Sequence, residues 1–273
     1  MARGVSFHIG LNEVSPAHYR DGEGAPWWGR LYACENDANA MAELARAQGF
    51  EVHGPALTAE ATADAVLAEF HEVAGQLAPG DIFFLTYSGH GGQVENKNPD
   101  DDPEDDALDE TWCLYDRELI DDELFAAFSA FRCGIRIIVL SDSCHSGTVT
   151  RGVPSPGDDE ARVKQLPVDV AVATEKANAA MYSTLQQEIP SKRLAAVDAT
   201  VVLLSGCKDD QFSRDGRVNG AFTAALLGAW SQPNARRSLP RLLKAVSAGI
   251  PAAYNQVPNY SIYSFDIGPV LTI

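Results

Sequence analysis

Apolar residues along this chain fall into two patterns. Short unbroken runs read as buried strands, and longer stretches with apolar positions three and four apart read as helices. Residues 5–11 predict a first strand. Residues 35–48 carry Ala, Met and Leu at helical spacing and stop at Gly49. A short strand is expected at 51–53, then a helix over 58–77, with Thr58 or Thr62 as cap and Pro79-Gly80 as its end. Residues 81–87 (DIFFLTY) and 135–140 (IRIIVL) are continuous apolar runs, as expected of strands covered on both faces. An amphipathic helix is expected at 121–131, a third buried strand at 201–204, helices at 221–230 and 239–248, and a last strand at 262–267. Strands alternating with helices predict an α/β fold: a mostly parallel central sheet flanked by helices. Two segments break the alternation, the acidic stretch 95–110 and the mixed stretch 147–195. Unstructured stretches of that length are commonly functional or disordered. No internal repeat is visible.

Length and charge narrow the classes. The 273 residues are enough for one domain with a full core. With 38 Asp and Glu against 21 Lys and Arg, the net charge is −17, and no Lys/Arg-rich stretch occurs. That excludes a generic nucleic-acid binder, which needs a basic face for phosphates. No apolar run of about 18 residues is present, so no membrane-spanning helix is expected. The first residues lack the features of a secretory signal. Five cysteines without CxxC spacing argue for reduced thiols in the cytoplasm, with no zinc site.

The chemistry gathers at two strand ends. DIFFLTYSGHGG puts His90 just past one buried strand, among Gly89, Gly91 and Gly92. IRIIVLSDSCHSG puts Cys144 just past another. The carboxyl ends of strands in an open parallel sheet share one edge, where ligand sites form. If these two strands are neighbours, His90 and Cys144 face one another there. A thiol beside an imidazole is an activated nucleophile, and the imidazole can later protonate a leaving amine. Glycines allow backbone N–H groups to approach a carbonyl oxygen.

YSGHGG and DSCHSG resemble the two catalytic motifs of the metacaspases and the related bacterial caspase-like (orthocaspase-type) cysteine proteases. The likeness continues through YACENDANAM, DETWCLYD, LIDDELF, SGCKDDQFSRDG and NGAFTAALL, in family order, over about residues 5–230. The resemblance implies a caspase-like fold in one peptidase domain. Residues 1–147 would be large-subunit-like, 148–196 a linker and 197–273 small-subunit-like. It implies His90 as general base and acid, Cys144 as nucleophile, and the backbone N–H groups of Gly91 and Cys144 as oxyanion donors. It also implies cleavage after Arg or Lys. The matching pocket positions are Asp37 and Asp142, with Cys34 and Ser88 beside them. Two carboxylates in a narrow cleft suit a cationic side chain and repel an acidic one.

Many members of that family require Ca²⁺. The residues here that match their site are Asp109, Asp121 and Asp122, hard oxygen donors suited to Ca²⁺. Arg151 stands where a further Asp is expected, and the run at 100–106 is a candidate substitute. Calcium is thus an open activator; the chemistry itself needs no cofactor. The linker holds Arg151, Arg162, Lys164, Lys176, Lys192 and Arg193. Cleavage after one of these, in cis or by an upstream activating protease, is the expected control. The partners expected are protein substrates with exposed Arg or Lys. Family likeness points to a cytoplasmic monomer acting in regulated proteolysis, stress or defence. Two alternatives remain at this point: an inactive caspase-like scaffold, and a protease cutting after Asp.

Overall fold

The computed structural model describes residues 2–96, 108–144, 162–189, 197–208 and 211–263. Its main sheet has six strands in the order β2-β1-β3-β7-β8-β9. These are β1 (Gly4–Gly10), β2 (Glu51–Leu57), β3 (Ile82–Ser88), β7 (Arg136–Asp142), β8 (Thr200–Ser205) and β9 (Asn259–Tyr263). The first five are mutually parallel, and β9 closes the edge antiparallel to β8. A second, antiparallel sheet is built from β4 (Gly91–Glu95), β5 (Leu108–Cys113) and β6 (Glu118–Ile120).

Alternate residues of each central strand serve opposite faces. Phe83, Leu85, Ile137 and Val139 point to one core, shared with α2 (Ala63–Gln76) and α3 (Asp121–Phe128). Ile82, Phe84, Ile138 and Leu140 point to the other, shared with α1 (Cys34–Ala47), α5 (Ala221–Trp230) and α6 (Leu239–Gly249). Two-sided burial is why these strands read as unbroken apolar runs.

Expected and observed elements differ where local chemistry intervenes. The helix expected from residue 58 starts at Ala63, after a 3₁₀ turn at Thr58–Glu60, and Thr62 accepts the capping bond from the Ala65 N–H. β2 runs on to Leu57, through Gly54-Pro55. The strand expected at 262–267 is instead Asn259–Tyr263, and residues beyond it lie outside the described ones. The largest miss is α4 (Val168–Glu188), a 21-residue helical stretch kinked at Asn178, inside the stretch read as an irregular linker. Its inward face mixes Val170, Thr174, Tyr182 and Gln186, so the apolar periodicity that marks a helix is diluted. The strands of the small sheet were missed for the same reason: Thr111, Glu118 and Asp109 are buried among them.

Helix α4 is held by polar contacts. The Tyr182 hydroxyl donates to Glu118 Oε2 at 3.1 Å and meets His18 Nε2 at 2.9 Å. Gln186 Nε2 donates to Asp109 Oδ2 (3.0 Å) and to the Glu95 carbonyl (2.9 Å). This matters for the site, because the chain just before α4 enters the cleft.

Candidate active site

β3 and β7 are neighbours in register, Ser88 opposite Asp142. The loops leaving their carboxyl ends therefore carry His90 and Cys144 to one sheet edge. Tyr87 shapes the first loop: its hydroxyl donates to the carbonyls of His90 (2.6 Å) and Cys113 (3.1 Å), while its ring stacks on Trp112 at 4.5 Å. Trp112 Nε1 in turn donates to Ser141 Oγ at 3.1 Å, tying the His loop to the Cys strand.

The His90 ring is buried, with Nε2 2.8 Å from the Gly29 carbonyl. A carbonyl only accepts, so the neutral ring carries its proton on Nε2 and its lone pair on Nδ1. Nδ1 is buried and has no hydrogen-bond partner among the described residues. Burial, the largest cause, lowers the imidazole to about 4; the backbone of Gly29 and of Gln165 opposes this, and the Lys164 and Arg162 charges add to it. Gly29 has φ +53°, and a Cβ there would run into the Trp27 ring, so glycine lets that carbonyl reach His90. The Trp27 ring lies 5.2 Å from the His90 ring, so the aromatic N-terminal loop lines the cleft at that point. Cys144 Sγ receives the Ser213 N–H and lies 3.5 Å from Cys207 Sγ.

Lys164 completes the picture. Its carbonyl oxygen accepts from two N–H groups, Gly91 at 3.2 Å and Cys144 at 3.0 Å. Its fully buried Nζ donates three bonds of 2.9 Å, to Asp37 Oδ2, Asp142 Oδ2 and Ser88 Oγ. All three ammonium protons are thus used. Burial by itself would lower Lys164; Asp142 and Asp37 outweigh it and hold the ammonium charged, well above its ordinary range. Both carboxylates are braced elsewhere. Asp142 accepts from Ser213 Oγ and Thr223 Oγ1, and Asp37 from Ser88 Oγ, Asn219 Nδ2 and the Gly220 N–H. Gly220 leaves the room: a Cβ there would lie 2.6 Å from Asp142 Oδ2 and crowd Nζ. Cys34 lies buried at the start of α1, its thiol pushed up by burial with Lys164 opposing.

The backbone around Lys164 runs extended through the cleft. Lys164 N–H donates to the Ser213 carbonyl (3.0 Å), Asp215 N–H to the Arg162 carbonyl (2.7 Å), and Leu166 N–H to the Gly91 carbonyl (2.7 Å). Residues 162–166 thus lie as an added strand, the way an extended peptide is recognised.

All the residues expected around the cleft come together: Cys34, Asp37, Ser88, His90, Gly91, Asp142 and Cys144. Lys164, Ser213, Asn219, Gly220, Thr223 and Gly29 were not singled out, or, for Lys164, were singled out only as one of six linker cations. Asp109, Asp121 and Asp122 are buried near β5 and α3, away from this edge. Among the described residues no three His, Cys, Asp or Glu side chains converge on a point that would hold a metal ion. Arg151 and residues 100–106 lie outside the described residues.

A mostly parallel sheet with His90 and Cys144 just past two neighbouring strands is the arrangement of a caspase-type domain. The caspase domain family (Peptidase_C14) matches residues 20–265, and the chain belongs to that family. Similar curated proteins are metacaspases: Metacaspase-1 of Mycosarcoma maydis is 29% identical over 85% of this chain and 66% of its own, and that of Candida albicans 33% over 67% and 48%. The chain thus spans about half to two thirds of the length of such relatives. The crystal structure of protein GSU0716 from Geobacter sulfurreducens is similar at a TM-score of 0.85 and 41% identity, covering 99% of this chain and 97% of that one. Caspase-1 from Spodoptera frugiperda shares the fold (TM-score 0.55, 14% identity, covering 95% and 88%). No helix among the described residues is long and apolar enough to cross a membrane.

Proposed function

We propose that this chain is a cysteine endopeptidase that cuts after Lys or Arg through Cys144 and His90, and that its own Lys164–Gln165 bond is its first substrate. One observation carries the reading: Lys164 occupies the acidic pocket while its carbonyl oxygen sits between the Gly91 and Cys144 N–H groups. The pocket defined by Asp37 and Asp142 argues against a substrate Asp, which would be set against two carboxylates.

In this reading the Cys144 thiol gives its proton to His90 Nδ1 and attacks the Lys164 carbonyl carbon. The oxyanion that forms is held by the two N–H groups already aimed at it. The C–N bond breaks, His90 protonates the departing Gln165 nitrogen, and a thioester remains on Cys144. Water, deprotonated by His90, releases the Lys164 carboxylate and restores the thiol. The cut separates a large-subunit-like part from a small-subunit-like part within one sheet. No step is assigned to calcium. Regulated proteolysis in the cytoplasm is the setting that this control by self-cleavage suits.

Purified protein, incubated with and without Ca²⁺, is expected to yield a fragment ending at Lys164 by intact mass, and to hydrolyse fluorogenic peptides ending in Lys or Arg. Hydrolysis after Asp alone would overturn the reading.

The pH dependence follows from His90. Its neutral form is the base, and a value lowered from 6.5 to about 4 keeps that form populated well below neutrality. The first-order rate of self-cleavage is expected to hold its plateau through pH 6 and to fall only toward about pH 4. A stopped time course across pH, read by fragment yield, checks this; a midpoint near 6.5 would mean that His90 is hydrated before it reacts.

A further inference from the structure

We propose that the cleft holds a second specificity site, which takes an arginine two residues before the scissile lysine on the ring of Tyr32. The inference rests on Lys164 being bound as a substrate, and extends that reading to a neighbouring side chain.

Arg162 is the residue two before Lys164. Its guanidinium Cζ lies over the Tyr32 ring, 4.2 Å from the centroid. Nη2 donates to the Tyr32 hydroxyl at 2.6 Å, and Nη1 donates to the Arg30 carbonyl. Ring, hydroxyl and carbonyl together satisfy a planar, multiply donating cation, which a lysine ammonium would match less well. The Arg30 side chain itself turns aside, 3.6 Å from Glu13, and does not compete for the ring.

The platform is built and not a chance surface contact. Asp215 is buried, and its carboxylate accepts from the N–H groups of Tyr32 (2.7 Å) and Ala33 (3.2 Å). Its own N–H donates to the Arg162 carbonyl at 2.7 Å. One residue therefore sets both the Tyr32 backbone and the strand that crosses it. Residues two apart on an extended strand project to the same side, so the pocket and the ring are spaced to read positions 164 and 162 together. Tyr32 is 54% exposed even with Arg162 on it, so its face is open to a strand from another protein once the linker leaves. The substrate class is then an extended, basic segment of the form Arg-x-Lys or Arg-x-Arg. The chain's net charge of −17 would draw such segments in.

The test uses the full chain and three fluorogenic peptides, Arg-Val-Lys, Ala-Val-Lys and Glu-Val-Lys. The wild type is expected to prefer Arg over Ala by about fivefold or more in kcat/KM, the size of one cation–π contact with its hydrogen bonds, and to disfavour Glu. Tyr32→Phe should keep part of the Arg:Ala ratio, and Tyr32→Ala should bring it close to one. Each ratio is taken within one variant, so a general loss of activity cancels. Should Tyr32→Ala not fold, the wild-type and Tyr32→Phe ratios decide. In the whole chain, Arg162→Ala is expected to slow appearance of the Lys164 fragment, by a smaller factor because the strand is tethered. Lys peptides cut without regard to the third residue back, or a ratio unchanged in Tyr32→Ala, would overturn this site alone. Cutting only after Asp, or no cut in any peptide or in the chain, would overturn the parent reading and this one with it.

Discussion

Replacing Cys144 with alanine is expected to leave the chain whole and to lower peptide hydrolysis by about 10⁴-fold or more, as removal of the nucleophile does in other covalent hydrolases. The substitution takes away a single sulfur. The oxyanion donors, His90 and the acidic pocket stay where they are, since the Cys144 N–H belongs to the backbone and persists in alanine. The Lys164 strand should therefore remain bound, and the variant should report the uncut state by intact mass. His90→Ala is expected to approach the same loss, because neither the Cys207 sulfur nor the Ser213 carbonyl beside Cys144 can act as an imidazole does, taking up the thiol proton and giving it to the leaving amine. A remaining cut after Lys164 in the Cys144→Ala chain would point to Cys207, whose sulfur lies 3.5 Å from that of Cys144. The Cys144→Ala, Cys207→Ala double variant then tells the two thiols apart.

The second large effect concerns the pocket. Asp142→Asn keeps nearly the shape of the side chain, and its amide can still meet Ser213 and Thr223. It removes one of the two charges that face a substrate cation. Truncating one partner of a buried, hydrogen-bonded charge pair costs roughly 2–5 kcal/mol, so kcat/KM for peptides ending in Lys or Arg is expected to fall by about 30- to 4,000-fold. Asp37→Asn should act likewise, with an added cost at the Gly220 turn, because Asp37 also receives the Gly220 N–H and the Asn219 amide. The measurement is kcat/KM on Lys and Asp peptides side by side. Alkylation of Cys144 at the wild-type rate would show that the site is intact. Undiminished Lys cleavage in Asp142→Asn would place the specificity pocket elsewhere. Lys164 sits in the same pocket, so self-cleavage should slow too, though less, because a tethered strand is present at high effective concentration.

Some of this was legible in the residues. The runs at 81–87 and 135–140 are apolar on both faces because helices cover both, and their ends carry the only Gly-flanked His and the DSC motif; both landed on one edge. Asp37 and Asp142 could be paired in one place because the resemblance matched them position by position, and both carboxylates meet Lys164 Nζ. By contrast, α4 could not be read, since Thr174, Tyr182 and Gln186 turn inward to meet the Arg20 backbone, Glu118 and Asp109, and such partners are invisible in a one-dimensional pattern. The six linker cations looked alike for a related reason. Each is an Arg or Lys in polar text, and nothing local distinguishes Lys164 from Lys176.

The sequence by itself determined the α/β alternation, the place of His90 and Cys144 just past two buried strands and the acidic balance of the chain, because those depend on residue type and near neighbours. Only the tertiary structure decided which linker residue fills the pocket. That choice depends on Asp37, Asp142, Ser88, Gly91 and Cys144, drawn from five elements or loops, converging on one side chain and one carbonyl oxygen from a sixth.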